Sequence, residues 1–249
     1  MLSAIQTLFI AGLAARSNAF LVVTPPLLST TVRSAEPAAA GSSADLFKSE
    51  GWKPIEQDLD QLPVFTCANK EGKPLPYTID TNDKKSFTVP FFYCDVDDAR
   101  EELRKAQENT GLEGLDLIPY PLGKAFQMWA SDEAVIVPNK QAILQAGAPP
   151  ETNPVGQHVP LFCCMEVMRA GEDGESTSLP LFMSHEDARL ALEEAVENDG
   201  GSADDFEIVS LSLNRAVELL ATVPETPAFQ FVAPEKSFAF IQKYMADSG

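Results

Sequence analysis

Apolar residues along this chain fall into short strand-like runs and longer amphipathic stretches, and the two kinds alternate in an order that occurs twice. The first round opens on Leu62-Pro63-Val64-Phe65 and the second on Val159-Pro160-Leu161-Phe162. Proline inside such a run predicts the first residue of a strand or an edge position, because it has no N–H for a ladder. Turn-forming stretches follow, Asn69-Lys70-Glu71-Gly72 and Ala170-Gly171-Glu172-Asp173-Gly174. A second apolar strand then repeats the opening as Val89-Pro90-Phe91-Phe92 and Leu179-Pro180-Leu181-Phe182. Each leads into a helix start: Asp95-Val96-Asp97-Asp98 supplies a cap and first-turn acids, and Ser184-His185-Glu186-Asp187 supplies a serine cap with an acid three residues on. Both helices carry Asp-Ala-Arg, at 98–100 and 187–189. Their apolar stripes match in spacing, Ala99, Leu103 and Ala106 against Ala188, Leu192 and Ala195, as expected for helices lying on a sheet.

The correspondence continues downstream. A strand at 115–118 answers one at 206–209, and a helix striped by Leu122, Ala125, Phe126 and Trp129 answers one striped by Leu213, Ala216, Val217 and Leu220. A strand ending in proline then closes each round, Val135-Ile136-Val137-Pro138 and Phe231-Val232-Ala233-Pro234, and feeds a last helix. The predicted fold is α/β (mixed α+β): a duplicated β-β-α-β-α-β-α unit with pseudo-twofold symmetry, its mixed sheets covered by helices. The expected organisation is a first repeat at 45–146, a Pro/Gly-rich linker at 147–156 and a second repeat at 157–249, the repeats forming one compact domain.

The first forty-four residues break this pattern. Residues 5–15 form an apolar run too short to span a bilayer comfortably, and Ser17 and Ala19 sit where a signal-peptide cleavage site needs small residues. Residues 20–44 are rich in Ser, Thr, Pro and Ala and almost free of acid, the composition of an organelle transit peptide. We expect a signal peptide at 1–19 and a disordered transit-like segment at 20–44. With Phe20 just after the junction Ser17-Asn18-Ala19-Phe20, the pair resembles the bipartite presequence of algae with complex plastids. An ordinary secretory signal is the alternative.

Charge narrows the partners. The chain holds 37 acids and 18 bases, a net of −19. Residues 1–44 contain one acid, Glu36, and two bases, Arg16 and Arg33, leaving 36 acids against 16 bases in the body. Such a surface repels nucleic-acid phosphate and anionic lipid and favours cationic partners.

Phosphate-loop, dinucleotide and nucleophile-elbow motifs are missing, and His185-Glu186 is not followed by the second histidine of a zinc helix. With His158 and His185 the only histidines, acid–base chemistry would rest on carboxylates. Asp95-Val96-Asp97 lacks the glycine of a calcium loop. Cys67, Cys94, Cys163 and Cys164 show no zinc spacing and read as small buried hydrophobes, a single disulfide being the alternative. Catalytic residues, metal and cofactor are therefore expected to be none. One feature is left: the last helix is apolar on two sides, with Phe238 and Ile241 on one and Phe240 and Tyr244 on the other. It is either deeply buried or covers a partner site. Met128 and Leu219, equivalent positions beside the core stripes, complete a candidate hydrophobic groove of Met128, Leu219, Phe238, Phe240 and Tyr244.

Two rounds, each opened by a Val/Leu-Pro-Val/Leu-Phe strand and each entering an Asp-Ala helix from a second Pro-Phe strand, resemble the Tic twenty-two family, a subunit of the translocon at the inner envelope membrane of chloroplasts. The resemblance runs from about Leu62 to Tyr244. It implies a soluble, chaperone-like, non-enzymatic component of plastid protein import in the envelope intermembrane space, peripheral on the inner membrane. Its implied partners are preproteins, transit peptides and inner-envelope translocon subunits, with no nucleic acid. The longer acidic turn of the second round departs from the family. Two other readings stand beside it: a plastid assembly factor binding one folded partner, and an enzyme of unknown type using surface carboxylates.

Overall fold

The structure is a computed structural model and describes residues 20–22, 46–49, 51–80, 86–111, 113–170, 177–199, 201–222 and 229–247. In chain order the first half contains β1 (Phe20–Val22), α1 (Trp52–Asp60), β2 (Pro63–Ala68), β3 (Pro76–Asp80), β4 (Ser86–Tyr93), α2 (Val96–Thr110), β5 (Asp116–Pro121), α3 (Leu122–Ala130), β6 (Val135–Val137) and α4 (Lys140–Gln145). The second contains β7 (Pro160–Cys163), β8 (Val167–Ala170), β9 (Thr177–Phe182), α5 (His185–Asp199), a 3-10 turn at Ala203–Asp205, β10 (Val209–Ser212), α6 (Leu213–Thr222), β11 (Phe229–Val232) and α7 (Glu235–Asp247).

The strands build two mixed sheets. One has five strands in the order β3-β4-β2-β5, with β6 parallel to β4; the other has six in the order β1-β8-β9-β7-β10, with β11 parallel to β9. Strand roles correspond down to register: Phe65 faces Tyr93 as Phe162 faces Phe182, and Tyr93 faces Val137 as Phe182 faces Val232. Setting β1 aside, each half therefore holds one strand more than the expected β-β-α-β-α-β-α order, β3 in the first and β8 in the second. Both are short, β3 at the edge of its sheet and β8 covered there only by the three residues of β1, and prolines or turn residues on their flanks masked them in the sequence. Of the expected strand at 206–209, residues 206–208 are irregular and β10 begins only at Val209.

Alternation along the strands sorts the core. Val64, Phe92, Leu161 and Leu181 point to the space between the sheets, where they meet α1, α3 and α6 in one central cluster. Their neighbours Phe65 and Tyr93 point outward under α2, and Phe162 and Phe182 outward under α5. Cys163 and Cys164 likewise take opposite sides, one in the central cluster and one beneath α5. All four cysteines are free and buried. Burial pushes the thiols up, Cys67 and Cys164 to about 11 and Cys163 to about 12, so they stay protonated and unreactive.

Helix α1 lies ahead of the matched series and closes the central core with Trp52, Ile55 and Leu59. It docks on the start of α3. The Asp60 carboxylate accepts the Lys124 N–H at 3.1 Å, and Glu56 pairs with the Lys124 ammonium and accepts from Gln127 at 3.0 Å. The close approach needs glycine at 123: a Cβ there would lie 2.5 Å from Asp60 Oδ1 and 2.8 Å from the Glu56 carbonyl oxygen. Gly123→Ala is expected to destabilise the chain by about 1–3 kcal/mol despite alanine's better helix propensity, because a backbone oxygen must give way. Thermal denaturation checks this, and an unchanged or higher Tm would contradict it.

The signal-peptide expectation for 1–19 and the transit-like expectation for 23–44 lie outside the described residues, as does the acidic turn at 171–176. Residues 20–22 of the segment expected to be disordered form β1.

Candidate functional site

The helix starts that carried the sequence pattern turn out to organise the surface. Asp95 is buried and caps α2, its Oδ1 accepting from the Asp97 and Asp98 N–H groups at 2.8 and 3.2 Å. Ser184 does the same for α5 through the Asp187 N–H at 3.2 Å. The aspartate of each Asp-Ala-Arg then reaches the last helix of its own half: Asp98 Oδ2 accepts from Asn139 Nδ2, which caps α4, and Asp187 Oδ2 accepts from the Glu235 N–H at the start of α7, both at 3.0 Å. The recurring motif is thus a clamp for the closing helix, and its alanine packs inward on the sheet.

These clamps have a cost that depends on pH. Burial raises the carboxyls of Asp58, Asp60 and Asp187 above the ordinary aspartate range; burial and the neighbouring Asp95 raise Asp98. A group raised in the folded state holds its proton more tightly there than in the unfolded chain, so stability is lost as pH climbs from about 3.9 through the folded values. Self-repulsion of the net −19 charge acts in the same direction. Asp97, Glu101 and Glu186 are lowered and oppose the trend, but they are exposed and screened. Tm is expected to be higher at pH 4.5 than at pH 6.5; a rise in Tm as pH climbs across that interval would refute this balance.

The closing helices cross over. Ala142 of α4 packs in the outer cluster of the second sheet, with Phe162 and Phe182. Phe240 of α7 packs on the outer face of the first: its ring meets Phe65 edge-on at 5.2 Å, with the Arg100 guanidinium 5.3 Å above it. Lys236 of α7 pairs with Asp95 at 2.5 Å and Asp97 at 3.2 Å. Burial lowers the Lys236 ammonium but these two carboxylates more than offset it, leaving it raised and charged.

The five candidate groove residues are only partly brought together. Phe240 and Tyr244 stack at 5.9 Å on the first half's flank. Met128 and Phe238 each pack at the margin of the central core, and Met128 Sδ accepts the Tyr120 hydroxyl at 3.9 Å. Leu219 lies half-buried on α6. The two apolar sides of α7 belong to different clusters, Phe238 to the central core and Phe240 to the outer one, which accounts for its breadth.

Sequence reasoning missed the concavity where the halves meet. A small cleft, with room for about one water molecule, opens between Phe126 and Trp129 of α3, Ile136 of β6, and the start of α6 at Leu213 and Asn214. Gln157, His158 and Val159, just ahead of β7, form its remaining wall. Behind it runs an aromatic row: Phe47 meets Trp52 at 4.8 Å, Trp52 stacks on Phe126 at 6.0 Å, and Phe126 meets Trp129 at 5.4 Å. Trp129 is half-buried, not wholly core, and its place at the end of a core stripe beside the linker is the signal that could have found the cleft. The cleft's lining mixes apolar side chains with the polar tips of Gln157, His158 and Asn214.

Among the described residues, no helix is long and apolar enough to cross a membrane. No protein-family model matches the sequence, and no curated protein matches it. Solved structures do. Tic22 from Anabaena, described as a protein of protein transport, superposes with a TM-score of 0.60 at 19% identity, covering 77% of this chain and 96% of its own. Tic22 from Plasmodium falciparum superposes with a TM-score of 0.61 at 20% identity, covering 78% of this chain and 98% of its own. With nearly the whole of both neighbours covered, the two-sheet architecture described above is the Tic22 fold.

Proposed function

We propose that this chain is a non-catalytic, chaperone-like component of plastid protein import that binds preproteins in transit across the envelope intermembrane space. The likeness of fold to Anabaena Tic22, a protein of protein transport, carries the reading. Two features of the surface support it. The acidic body attracts basic, acid-poor transit peptides at long range. The half-buried apolar side chains at Trp129, Met128, Leu219, Phe238, Phe240 and Tyr244 offer places for the hydrophobic positions of an extended chain. Attraction supplies encounter and apolar contact supplies retention, so binding does not require turnover.

The test is titration of a labelled, basic, acid-free transit-like peptide followed by anisotropy at 50 and 500 mM salt. Binding is expected at low salt, weakened about tenfold at high salt as the surface charge is screened. No complex at either concentration would remove the proposal.

A further inference from the structure

The two sheets differ at one edge. Strand β3 and its counterpart β8 occupy corresponding positions, each paired antiparallel with the long strand of its sheet. The outer edge of β3 carries no further strand among the described residues. The outer edge of β8 carries β1, antiparallel, with Phe20 opposite Arg169, Leu21 opposite Met168 and Val22 opposite Val167. Strand β1 also touches α5, which covers the outer face of that sheet. The first sheet is complete with five strands, so the sixth is an adjunct to the architecture, not a requirement of it.

We propose that the outer edge of β8 is a binding slot for an extended, apolar segment of another polypeptide, and that the chain's own Phe20–Val22 fills it in the full-length protein. An unpaired edge is a template for strand addition, with backbone groups supplying hydrogen bonds whatever the sequence of the incoming segment. The occupant displays what the slot accepts: three consecutive apolar residues, Phe-Leu-Val, in antiparallel register. Three residues span only about 10 Å and form few ladder bonds, so the occupant is exchangeable. Its position in the chain gives the exchange a direction. Phe20 is the residue just after the expected cleavage junction, within the leader that the sequence pattern assigns to targeting. Loss of that leader vacates β8, so the slot is closed in the precursor and open afterwards. An edge read through its backbone suits a partner met in many sequences. The identity of that partner, an unfolded polypeptide in transit, rests on the function proposed above; the slot itself rests on the pairing.

The experiment uses the full chain and a labelled peptide of the sequence Asn-Ala-Phe-Leu-Val-Val-Thr, residues 18–24. In an antiparallel ladder alternate N–H groups face the partner, so Phe20→Pro combined with Leu21→Pro removes a donor aimed at β8 whichever alternation holds. The double variant is expected to bind the peptide at least tenfold more tightly than the unaltered chain. Equal binding, or none by either protein, would overturn the proposal. A second measurement does not depend on proline tolerance: Leu21→Cys with Met168→Cys, opposed in register, is expected to form an intramolecular cross-link on mild oxidation of the folded chain. Its absence would also overturn the pairing. Peptide exchange at β8 together with failure of the transit-like peptide to bind would sink the import function and leave the slot; the reverse result would sink the slot alone.

Discussion

Replacing Phe126 by alanine is expected to remove about 3–5 kcal/mol of stability, enough to lower Tm by roughly 6–20 °C. The ring is 3% exposed and sits between the two sheets, so the loss combines lost transfer energy with a cavity that neighbours from two halves cannot easily fill. It is also the middle of the aromatic row, touching Phe47, Trp52 and Trp129. Trp52 and Trp129 are the chain's only two tryptophans, and both flank the substitution. Intrinsic fluorescence therefore reports the site directly. We expect a red-shifted emission in the folded variant and an earlier melting transition by calorimetry. A variant with Tm within about 2 °C of the parent would mean that the row is not the joint between the halves.

The second large effect tests the crossing of α7. Phe65→Ala is expected to cost about 3–5 kcal/mol, because the ring is fully buried on the outer face of the first sheet. Phe240→Ala should cost less, about 1–1.5 kcal/mol, since that ring is only half-buried and some of its surface is already hydrated. The informative quantity is the coupling. Edge-to-face packing at 5.2 Å predicts that the double variant loses about 0.5–1.5 kcal/mol less than the sum of the singles. Additivity within about 0.3 kcal/mol would show that α7 does not hold the first sheet in solution, and chemical denaturation of the four proteins decides it.

That crossing separates what the chain's pattern displays from what it hides. The helix stripes were legible because an amphipathic helix on a sheet writes its burial at a 3.6-residue period. Ala99 and Leu103 lie where that period puts them, against the first sheet. The opening Pro-Val-Phe and Pro-Leu-Phe runs were legible as strands, but not the destinations of their side chains. Val64 and Phe65 differ by one position and serve different cores. Helix α1 was legible in principle, since Trp52, Ile55 and Leu59 have helical spacing, but it stands before the matched rounds and drew no comparison. The groove residues were the weakest reading. Apolar breadth on α7 is a property of its sequence, whereas the division of Phe238 and Phe240 between two clusters depends on a helix lying at the boundary of both.

By itself, then, the sequence determined the α/β class, the helix caps at Asp95 and Ser184, and the acidic charge. Each is local: a period, a cap or a sum of charges is complete within a few residues or needs no geometry at all. Tertiary structure alone decided that Asp98 and Asp187 clamp the closing helices, that α4 and α7 pack on the opposite halves, that a cleft opens beside Trp129, and that Phe20–Val22 joins the edge of β8. These join residues far apart in the chain: Asp187 lies 48 positions from Glu235 and Asp98 lies 41 from Asn139. Partners at such distances are chosen by how sheets and helices stack, and that choice leaves no periodic trace in either segment.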